Sequence, residues 1–240
     1  MYIYGRNPVK EAYIAGKTVD KIFVQKGEFD PMLSRVLKLA KEARTVVSYV
    51  DKNMLDKLAN GGNHQGVVAA VTDFSYCDVE DILNLAKDKG EDLLLVILDG
   101  ITDPHNLGAI IRSAECFGAH GIVIPKHRSV SVNDTVVKVA CGATEHMLIA
   151  KVTNVNDAIR WLKEQNVWVY ATDFDGKAPK DANLTGNIAL VIGSEGEGIH
   201  RLTKELCDDT LTIPQYGKVN SLNASVAAGV VLYEAVRQRH

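Results

Sequence analysis

IALVIGSEGEGIHR, residues 188 to 201, joins a near-continuous apolar run to a loop that contains three glycines. Comparable apolar runs alternate with helical patterns and stand at residues 93–98, 121–125, 146–150, 167–172 and 210–214. Strands that are apolar on both faces are typical of a parallel sheet covered by helices on both sides. The sequence from residue 93 to residue 240 therefore predicts a doubly wound α/β domain with a parallel sheet.

The glycine-rich loop, residues 193–198, follows a predicted strand, and open α/β sheets bind ligands at the carboxyl ends of their strands. The loop does not match the dinucleotide fingerprint G-x-G-x-x-G, because Glu195 and Arg201 stand where glycine is needed, and no P-loop GK[ST] follows. Glu195 and Glu197 would also repel a pyrophosphate. A nicotinamide or nucleotide enzyme is therefore disfavoured, and a tight structural turn stays open as an alternative.

A second loop with unusual polar groups opens DGITDPHNLGAIIRSAECFGA, residues 99–119. Its Asp-Pro turn is followed by Asn106, which is predicted to cap a helix that Gly118 ends. Arg112 falls off the apolar stripe of this helix, so its guanidinium is available for a phosphate or a carboxylate. A solvated surface arginine is the alternative.

The third segment is IPQYGKVNSLNAS, residues 213–225, which leads directly into a helical pattern. Asn220 or Ser221 is predicted to cap this final helix. Asn223 lies in the first helical turn, where its side chain can bond the backbone inside a crowded site. The small residues that follow allow another backbone to pack very close.

The chain before residue 93 has a different organisation. Residues 1–75 are predicted to form a small α/β domain with strands at 22–25, 46–50 and 66–71 and a helix over 31–44. Residues 76–92 are acidic and carry one amphipathic stretch, which we interpret as a linker containing a helix. Residues 1–75 carry 11 Lys and Arg against 8 Asp and Glu, whereas the rest carries 16 against 22. The weak positive charge of residues 1–75 permits RNA binding. Ordinary solvated surface charge explains this excess of Lys and Arg equally well.

The bulk composition excludes other classes. No run among the 240 residues reaches the roughly 18 apolar residues of a membrane span, and the N-terminus lacks the apolar core of a signal peptide. We therefore expect a cytoplasmic protein. The cysteines contain no CxxC pair, so no zinc or other metal site and no disulfide framework is expected, and they are predicted to be small buried hydrophobes. They are Cys77, Cys116, Cys141 and Cys207.

The three segments resemble, in order and wording, the signature motifs of the SpoU (TrmH-type) RNA ribose 2'-O-methyltransferases of the SPOUT superfamily. The matching sequences are N-L-G-A-I-I-R from Asn106, G-S-E-G-E-G from Gly193 and I-P-x-x-G-x-V-x-S-L-N-x-S from Ile213. Y-G-R-N-P-V-K-E-A and N-H-Q-G-V-V-A are similar to the RNA-binding domain of the RlmB-like branch. The resemblance thus spans the whole chain, and Gln215 stands where that branch often has Met.

This resemblance implies a C-terminal deep trefoil knot that binds S-adenosylmethionine, and a homodimer with the active site at the subunit interface. The positions carried over as cofactor contacts are Gly193, Gly198, Ile213, Ser221 and Leu222. The positions carried over to the reaction are Asn106, Arg112, Glu195 and Asn223. Arg112 would stabilise charge on the ribose oxygen and anchor the RNA phosphate, and the others would orient Arg112 or the target nucleotide.

The resemblance also implies a substrate. The commonest target in the branch is a guanosine ribose of large-subunit, 23S-type ribosomal RNA, and a transfer RNA is the alternative. A non-catalytic RNA-binding protein on the same scaffold is a further alternative. The candidate RNA contacts of the first domain are Arg6, Asn7, Lys10, His64 and Gln65.

Overall fold

The structure is a computed structural model that describes residues 1–15, 17–27, 30–72, 74–218 and 221–240. It divides into two compact units, Met1–Ser75 and Tyr76–His240. Within the described ranges, every helix is too short or too polar to cross a lipid bilayer.

The first unit is a four-stranded sheet with helices on both faces. Its elements are β1 (Tyr2–Tyr4), α1 (Arg6–Ile14), β2 (Thr18–Gln25), α2 (Pro31–Glu42), β3 (Val46–Val50), α3 (Lys52–Leu58) and β4 (Val67–Thr72). The strand order is β1-β4-β2-β3, with β2 and β3 parallel and the other pairs antiparallel. Helices α1 and α2 cover one face and α3 the other. The three predicted strands and the predicted helix are confirmed, but β2 begins at Thr18 instead of residue 22, β4 is shifted by one residue, and α2 ends at Glu42 instead of residue 44.

Strand β1 was not predicted. It has three residues, and two of them are exposed, so it carries no apolar run of its own. Its place in the sheet comes from pairing with β4, in which Ile3 faces Ala69.

The second unit is a six-stranded sheet in which every strand pair is parallel. Its strands are β5 (Leu94–Asp99), β6 (Gly121–Pro125), β7 (Leu148–Val152), β8 (Trp168–Lys177), β9 (Ile188–Gly193) and β10 (Asp209–Leu211). Its helices are α4 (Val79–Lys89), α5 (Pro104–Cys116), α6 (Asp134–Ala140), α7 (Val155–Glu164), α8 (Arg201–Leu206) and α9 (Ala224–Arg239). The predicted α/β class with a parallel sheet is confirmed.

The strands are apolar on both faces because helices cover both. Alternate side chains of a strand point to opposite faces, and Leu95 and Ile97 join a core cluster with residues of α4 and α7. Helices α5, α6 and α9 pack together, with α9 also against β9. The predicted knot would include residues 219 and 220, which lie outside the described residues, and it stays a prediction.

Some predicted boundaries are wrong. Strand β8 continues to Lys177, five residues past its predicted end, because it pairs with β10 through a register shift. Strand β10 ends at Leu211, before its predicted end at residue 214.

Both predicted helix caps are also wrong. Pro104 is the first residue of α5, and the cap is Asp103, whose carboxylate accepts from the backbone N–H groups of His105 and Asn106. Proline suits the first helical position because its φ is already helical and it has no N–H to leave unpaired. Helix α9 is capped by Asn223 instead of Ser221, and Asn220 lies outside the described residues. Gly118 adopts a left-handed φ of 69° just after α5, so the predicted end is confirmed.

Residues 76–92, interpreted from the sequence as a linker, contribute to the second unit. Ile82, Leu83 and Ala86 of α4 are buried in its main core cluster. The burial of Cys116 and Cys141 predicted from the sequence is wrong, because both are exposed.

Candidate active site

The candidate site lies at the edge of the sheet where β5 and β9 end. The chain leaves β5 toward β6 on one side and leaves β9 toward β10 on the other, so this is the topological switch point of the sheet. The two strands are in register, with Asp99 opposite Gly193. The motif that begins at Asn106 follows β5, and the glycine-rich motif that begins at Gly193 follows β9. The two motifs are therefore adjacent in space.

The glycines of the glycine-rich motif, residues 193–198, allow a closed loop after β9. The Ser194 backbone N–H donates to the Gly198 carbonyl oxygen at 3.1 Å, and the Gly198 N–H donates to the Ser194 carbonyl oxygen at 3.0 Å. Gly198 has a φ of +66°, which favours glycine. A Cβ built on Gly193 would lie 2.5 Å from the backbone nitrogen of Ile199 and closer still to the Gly198 carbonyl group. The loop therefore requires glycine at both ends.

Three side chains, one from each motif, form a hydrogen-bonded ring beside this loop. Glu195 Oε1 accepts from Asn106 Nδ2 at 2.9 Å and from Asn223 Nδ2. Asn223 Nδ2 also donates to Asn106 Oδ1 at 2.9 Å. Among the described residues no protein donor reaches the second carboxylate oxygen of Glu195, so this oxygen is available to a ligand.

Asn223 belongs to the ring and to a helix cap at once. Its Oδ1 accepts from the backbone N–H groups of Ser225 and Val226, at 3.0 and 3.3 Å, at the start of α9. This cap fixes the amide orientation, because the oxygen faces the helix and the nitrogen must then face Glu195.

Arg112 is not part of the ring. It lies six residues after Asn106, about 9 Å further along α5 and on a different side of the helix. Its guanidinium is exposed and donates to Cys141 Sγ at 3.5 Å. Within the described part of the chain, no hydrogen bond joins Arg112 to Asn106 or Glu195, so the structure brings together three of the four predicted reaction residues.

A cavity opens beside the ring, against the middle of β8, the end of β9 and the start of α9. All five predicted cofactor contacts line it: Gly193, Gly198, Ile213, Ser221 and Leu222. Pockets for small molecules are mostly apolar with a few placed polar groups.

The lining fits S-adenosylmethionine, which has an adenine ring and several polar groups. Apolar side chains such as Ile192 and Ile213 suit the ring, and the Glu195 carboxylate suits a cationic sulfur. The Thr172 hydroxyl is buried without a protein partner and belongs to a residue that lines the cavity. Among the described residues, no group of three His, Cys, Asp or Glu side chains is placed to hold a metal ion.

Two polar groups of this region were missed from the sequence. Buried Asp99 accepts from the His200 backbone nitrogen at 2.9 Å and lies 2.8 Å from His200 Nδ1, which fixes the far side of the glycine-rich loop. Thr172 was taken as the last residue of a strand. Both positions directly follow apolar runs, and that signal could have identified them.

A second cleft lies on the other side of the loop. Residues 100–103 and Asn106 line it, and it shares Ser194 and Glu195 with the first cavity. Glu195 therefore lies between two openings.

Only three of the five candidate RNA contacts of the first unit lie together. Arg6, His64 and Gln65 line a polar groove together with Lys26 and Lys52. Two of the five predicted residues, Asn7 and Lys10, do not line this groove.

Two of the groove residues also hold the fold. Arg6 Nε donates to the Gln65 carbonyl oxygen at 2.9 Å, and its guanidinium pairs with Asp30. His64 is buried, with Nδ1 accepting from the Gly66 backbone N–H and Nε2 lying 3.1 Å from Asp56 Oδ1. These bonds set the loop that forms one wall of the groove.

Comparison with known proteins gives matches to both units. The profile of the SpoU rRNA methylase family matches residues 93–233, and that of RNA 2'-O ribose methyltransferase substrate binding matches residues 2–77. A Staphylococcus haemolyticus protein, named for the TrmH family of tRNA/rRNA methyltransferases, is 44% identical over 239 residues, covering 99% of this chain and 96% of its own.

Two solved structures share the fold along the chain. The SpoU methyltransferase AviRb from Streptomyces viridochromogenes, in complex with the cofactor AdoMet, is 28% identical with a TM-score of 0.64, covering 100% of this chain and 90% of that one. The AdoMet-bound rRNA methyltransferase from Sinorhizobium meliloti is 26% identical with a TM-score of 0.60, covering 98% and 86%.

The fold, the motif geometry and these matches define an RNA methyltransferase with a substrate-binding domain ahead of the catalytic one. The chain belongs to the SpoU family, as its motifs predicted. It is a ribose 2'-O-methyltransferase, and S-adenosylmethionine is its methyl donor.

Proposed function

We propose that the enzyme methylates the ribose of a guanosine in structured large-subunit ribosomal RNA, in the cytoplasm. The ring of Asn106, Glu195 and Asn223 beside the cavity carries the catalytic part of this proposal. The resemblance to the RlmB-like branch and the full-length similarity to the Sinorhizobium meliloti rRNA methyltransferase support the substrate. A transfer RNA is the second candidate, because the Staphylococcus haemolyticus relative is named for both RNA classes.

The cavity beside the ring would hold the methyl donor. Gly193 and Gly198 let the backbone approach it closely, and Ile213 and Leu222 provide apolar walls, with Ser221 at the same lining. Bound there, S-adenosylmethionine supplies a methyl group made electrophilic by its sulfonium.

The ring would orient the acceptor ribose in the second cleft. Glu195 has one oxygen held by the two asparagine amides, so the other can accept a hydrogen bond from the 2'-hydroxyl and increase its nucleophilicity. Asn106 and Asn223 fix the carboxylate in place, which keeps the hydroxyl oxygen in line with the donor cavity.

Arg112 would supply a fixed positive charge. A guanidinium keeps its charge in proteins, so it would stabilise negative charge on the ribose oxygen and anchor a neighbouring phosphate. Because Arg112 is separated from the ring within one chain, we infer that Arg112 of a second copy would supply this charge to the site.

The proposed homodimer would use the outer face of α9. Val226, Val230 and Tyr233 recur at helical spacing and are 50, 39 and 57% exposed, whereas a different face of the helix is buried. Such an exposed apolar stripe is typical of a protein interface. We expect a dimer mass in light scattering after gel filtration, and a monomer for Val230→Asp; a wild-type monomer would refute this interface.

The groove of the first unit would bind the RNA backbone. Lys26 forms a 3.3 Å ion pair with Asp51 in which both side chains are exposed, a weak interaction that a phosphate can replace. Lys52 adds a second cation to the groove. Lys52→Glu should weaken RNA binding and leave S-adenosylmethionine binding unchanged.

The experiment that tests the function follows methyl transfer from tritiated S-adenosylmethionine. Purified protein is incubated with unmethylated large-subunit rRNA, small-subunit rRNA and transfer RNA, and the modified nucleotide is mapped by primer extension at low dNTP concentration. We expect label only in large-subunit rRNA, at one guanosine.

Two results would contradict the proposal in different ways. Label only in transfer RNA would establish the second candidate. Failure to bind S-adenosylmethionine in calorimetry, together with RNA binding, would favour a non-catalytic RNA-binding protein.

A further inference from the structure

The loop between β6 and α6, residues 126–133, is basic. It opens with Lys126, His127 and Arg128, and it contains no Asp or Glu. His127 and Arg128 are exposed. In the part of the chain that the structure describes, no carboxylate pairs with the Arg128 guanidinium. The loop therefore presents a positive charge to solvent.

Hydrogen bonds to the neighbouring strand β7 fix this loop. The Lys126 backbone N–H donates to the Val152 carbonyl oxygen at 2.8 Å, at the end of β7. Farther along the loop, Ser131 Oγ accepts from Lys151 Nζ at 2.7 Å. A ligand would therefore meet charges that are already placed, which reduces the entropy lost on binding.

The same loop borders the second cleft. The Val130 backbone N–H donates to the Ile101 carbonyl oxygen at 2.9 Å, and Ile101 lines that cleft. Arg128 is two residues from Val130, so the Cα atoms of these residues are at most about 8 Å apart. The cationic part of the loop therefore lies beside the cleft that would receive the acceptor ribose.

The second cleft has no cation of its own for an RNA phosphate. Its charged side chains are Asp103, Glu195 and Glu197, and among the described residues no Lys or Arg belongs to its lining. Carboxylates repel a phosphate, so an RNA strand whose ribose enters the cleft needs a cation just outside it. Residues 126–128 meet this need within the same chain.

We propose that residues 126–128 bind the RNA phosphate next to the acceptor ribose, with Arg128 as the main contact. A guanidinium binds phosphate through charge-assisted, often bidentate hydrogen bonds. A ribose within an RNA strand lies between two phosphates, so this contact can coexist with the one proposed for Arg112. The inference rests on the proposed function, and it adds an RNA contact of the second unit to the groove of the first.

The test compares Arg128→Gln, which removes the charge, with Arg128→Lys, which keeps it. Filter binding measures the Kd of unmethylated large-subunit rRNA, and of transfer RNA, between about 50 and 200 mM KCl. For the RNA that the wild type binds more tightly, Arg128→Gln should raise the Kd by about 5- to 10-fold at the lowest salt. It should also reduce the slope of log Kd against log [KCl] by roughly 1, the share of one phosphate contact. Arg128→Lys should keep the wild-type slope.

Three further readouts separate substrate binding from a structural effect. The Kd of S-adenosylmethionine and the urea midpoint should equal those of the wild type, because Arg128 is exposed and does not line the proposed donor cavity. In tritiated methyl transfer, the KM for RNA should rise while kcat stays within about twofold of the wild type. The matched control is Arg160→Gln on α7, because Arg160 is also exposed but lines neither opening.

Each other result overturns a stated part of the inference. A wild-type Kd and salt slope in Arg128→Gln would remove Arg128 from RNA binding. An equal loss in Arg160→Gln would attribute the effect to net charge instead of position. A lower urea midpoint in Arg128→Gln would assign Arg128 a structural role. If the wild type binds RNA but transfers no methyl group, the proposed function fails, whereas the change in salt slope still decides whether Arg128 contacts a phosphate.

Discussion

Gly193 is a position where one added methyl group should disturb catalysis. In Gly193→Ala the new Cβ would lie 2.5 Å from the Ile199 nitrogen and closer to the Gly198 carbonyl group, whereas ordinary contacts begin near 3.4 Å. The obstacle is backbone and cannot rotate away. The loop from Ser194 to Gly198 must therefore move by roughly 1 Å, and Glu195 moves with it.

The magnitude follows from this shift. Overpacking of this kind lowers the free energy of unfolding by about 1–3 kcal/mol. A displacement of roughly 1 Å at a positioned group can reduce the rate on the order of 100-fold. Because Gly193 also lines the proposed donor cavity, the Kd of S-adenosylmethionine should rise in the same variant.

The assay compares Gly193→Ala with Gly196→Ala by tritiated methyl transfer, calorimetry and urea unfolding. Gly196 lies in the same loop, has nothing within 4 Å of an added Cβ, and has no positive φ. It should therefore accept alanine with near wild-type transfer. Equal transfer by Gly193→Ala and the wild type would refute the argument, and equal losses in both variants would attribute the effect to glycine flexibility instead of close approach.

Four further predictions address other parts of the second unit. Arg112→Ala should bind S-adenosylmethionine within twofold of the wild type in calorimetry but lose transfer by about 100- to 1,000-fold; preserved transfer would remove Arg112 from the reaction. Asn223→Asp keeps the oxygen that caps α9, so its circular dichroism spectrum should equal that of the wild type. The same change removes the amide donors and adds a negative charge beside Glu195, so methyl transfer should fall on the order of 100-fold. Arg239 donates to four backbone carbonyl groups, and Arg239→Ala should lower the free energy of unfolding by about 2–4 kcal/mol in urea, with Arg239→Lys unable to span all four. Burial lowers the pKa of His120, so the unfolded state binds the proton more readily than the folded state. The free energy of unfolding should therefore fall as the pH drops below about 6.5. Urea unfolding between pH 7.5 and 5.5 should show a weaker pH dependence in His120→Asn.

The sequence predicted most of the second unit because its signals are local. Apolar runs such as residues 93–98 and 188–193 are strands in the structure, with small shifts at their ends. The helix caps were less predictable, because several polar residues precede each helix. Asp103 and Asn223 cap because the neighbouring chain path allows their side chains to turn back to the backbone.

The contacts of the site could not be predicted from spacing alone. Asn106 and Asn223 are 117 residues apart, and the packing of α5 against α9 brings their segments together. The motifs did identify five of the residues that line the cavity beside the ring. They did not indicate that Arg112 contacts Cys141, because that contact depends on how α6 packs against α5.

The dual role of Asn223 explains how this site can be held rigidly although all three ring side chains come from the ends of elements. Its oxygen is fixed by the first N–H groups of α9, and its nitrogen is fixed by Glu195 and Asn106. A shift of α9 would therefore move the carboxylate that faces both openings. Since the exposed stripe of the same helix is the proposed dimer contact, association of two chains would restrain α9 and so stabilise the geometry of the reacting groups.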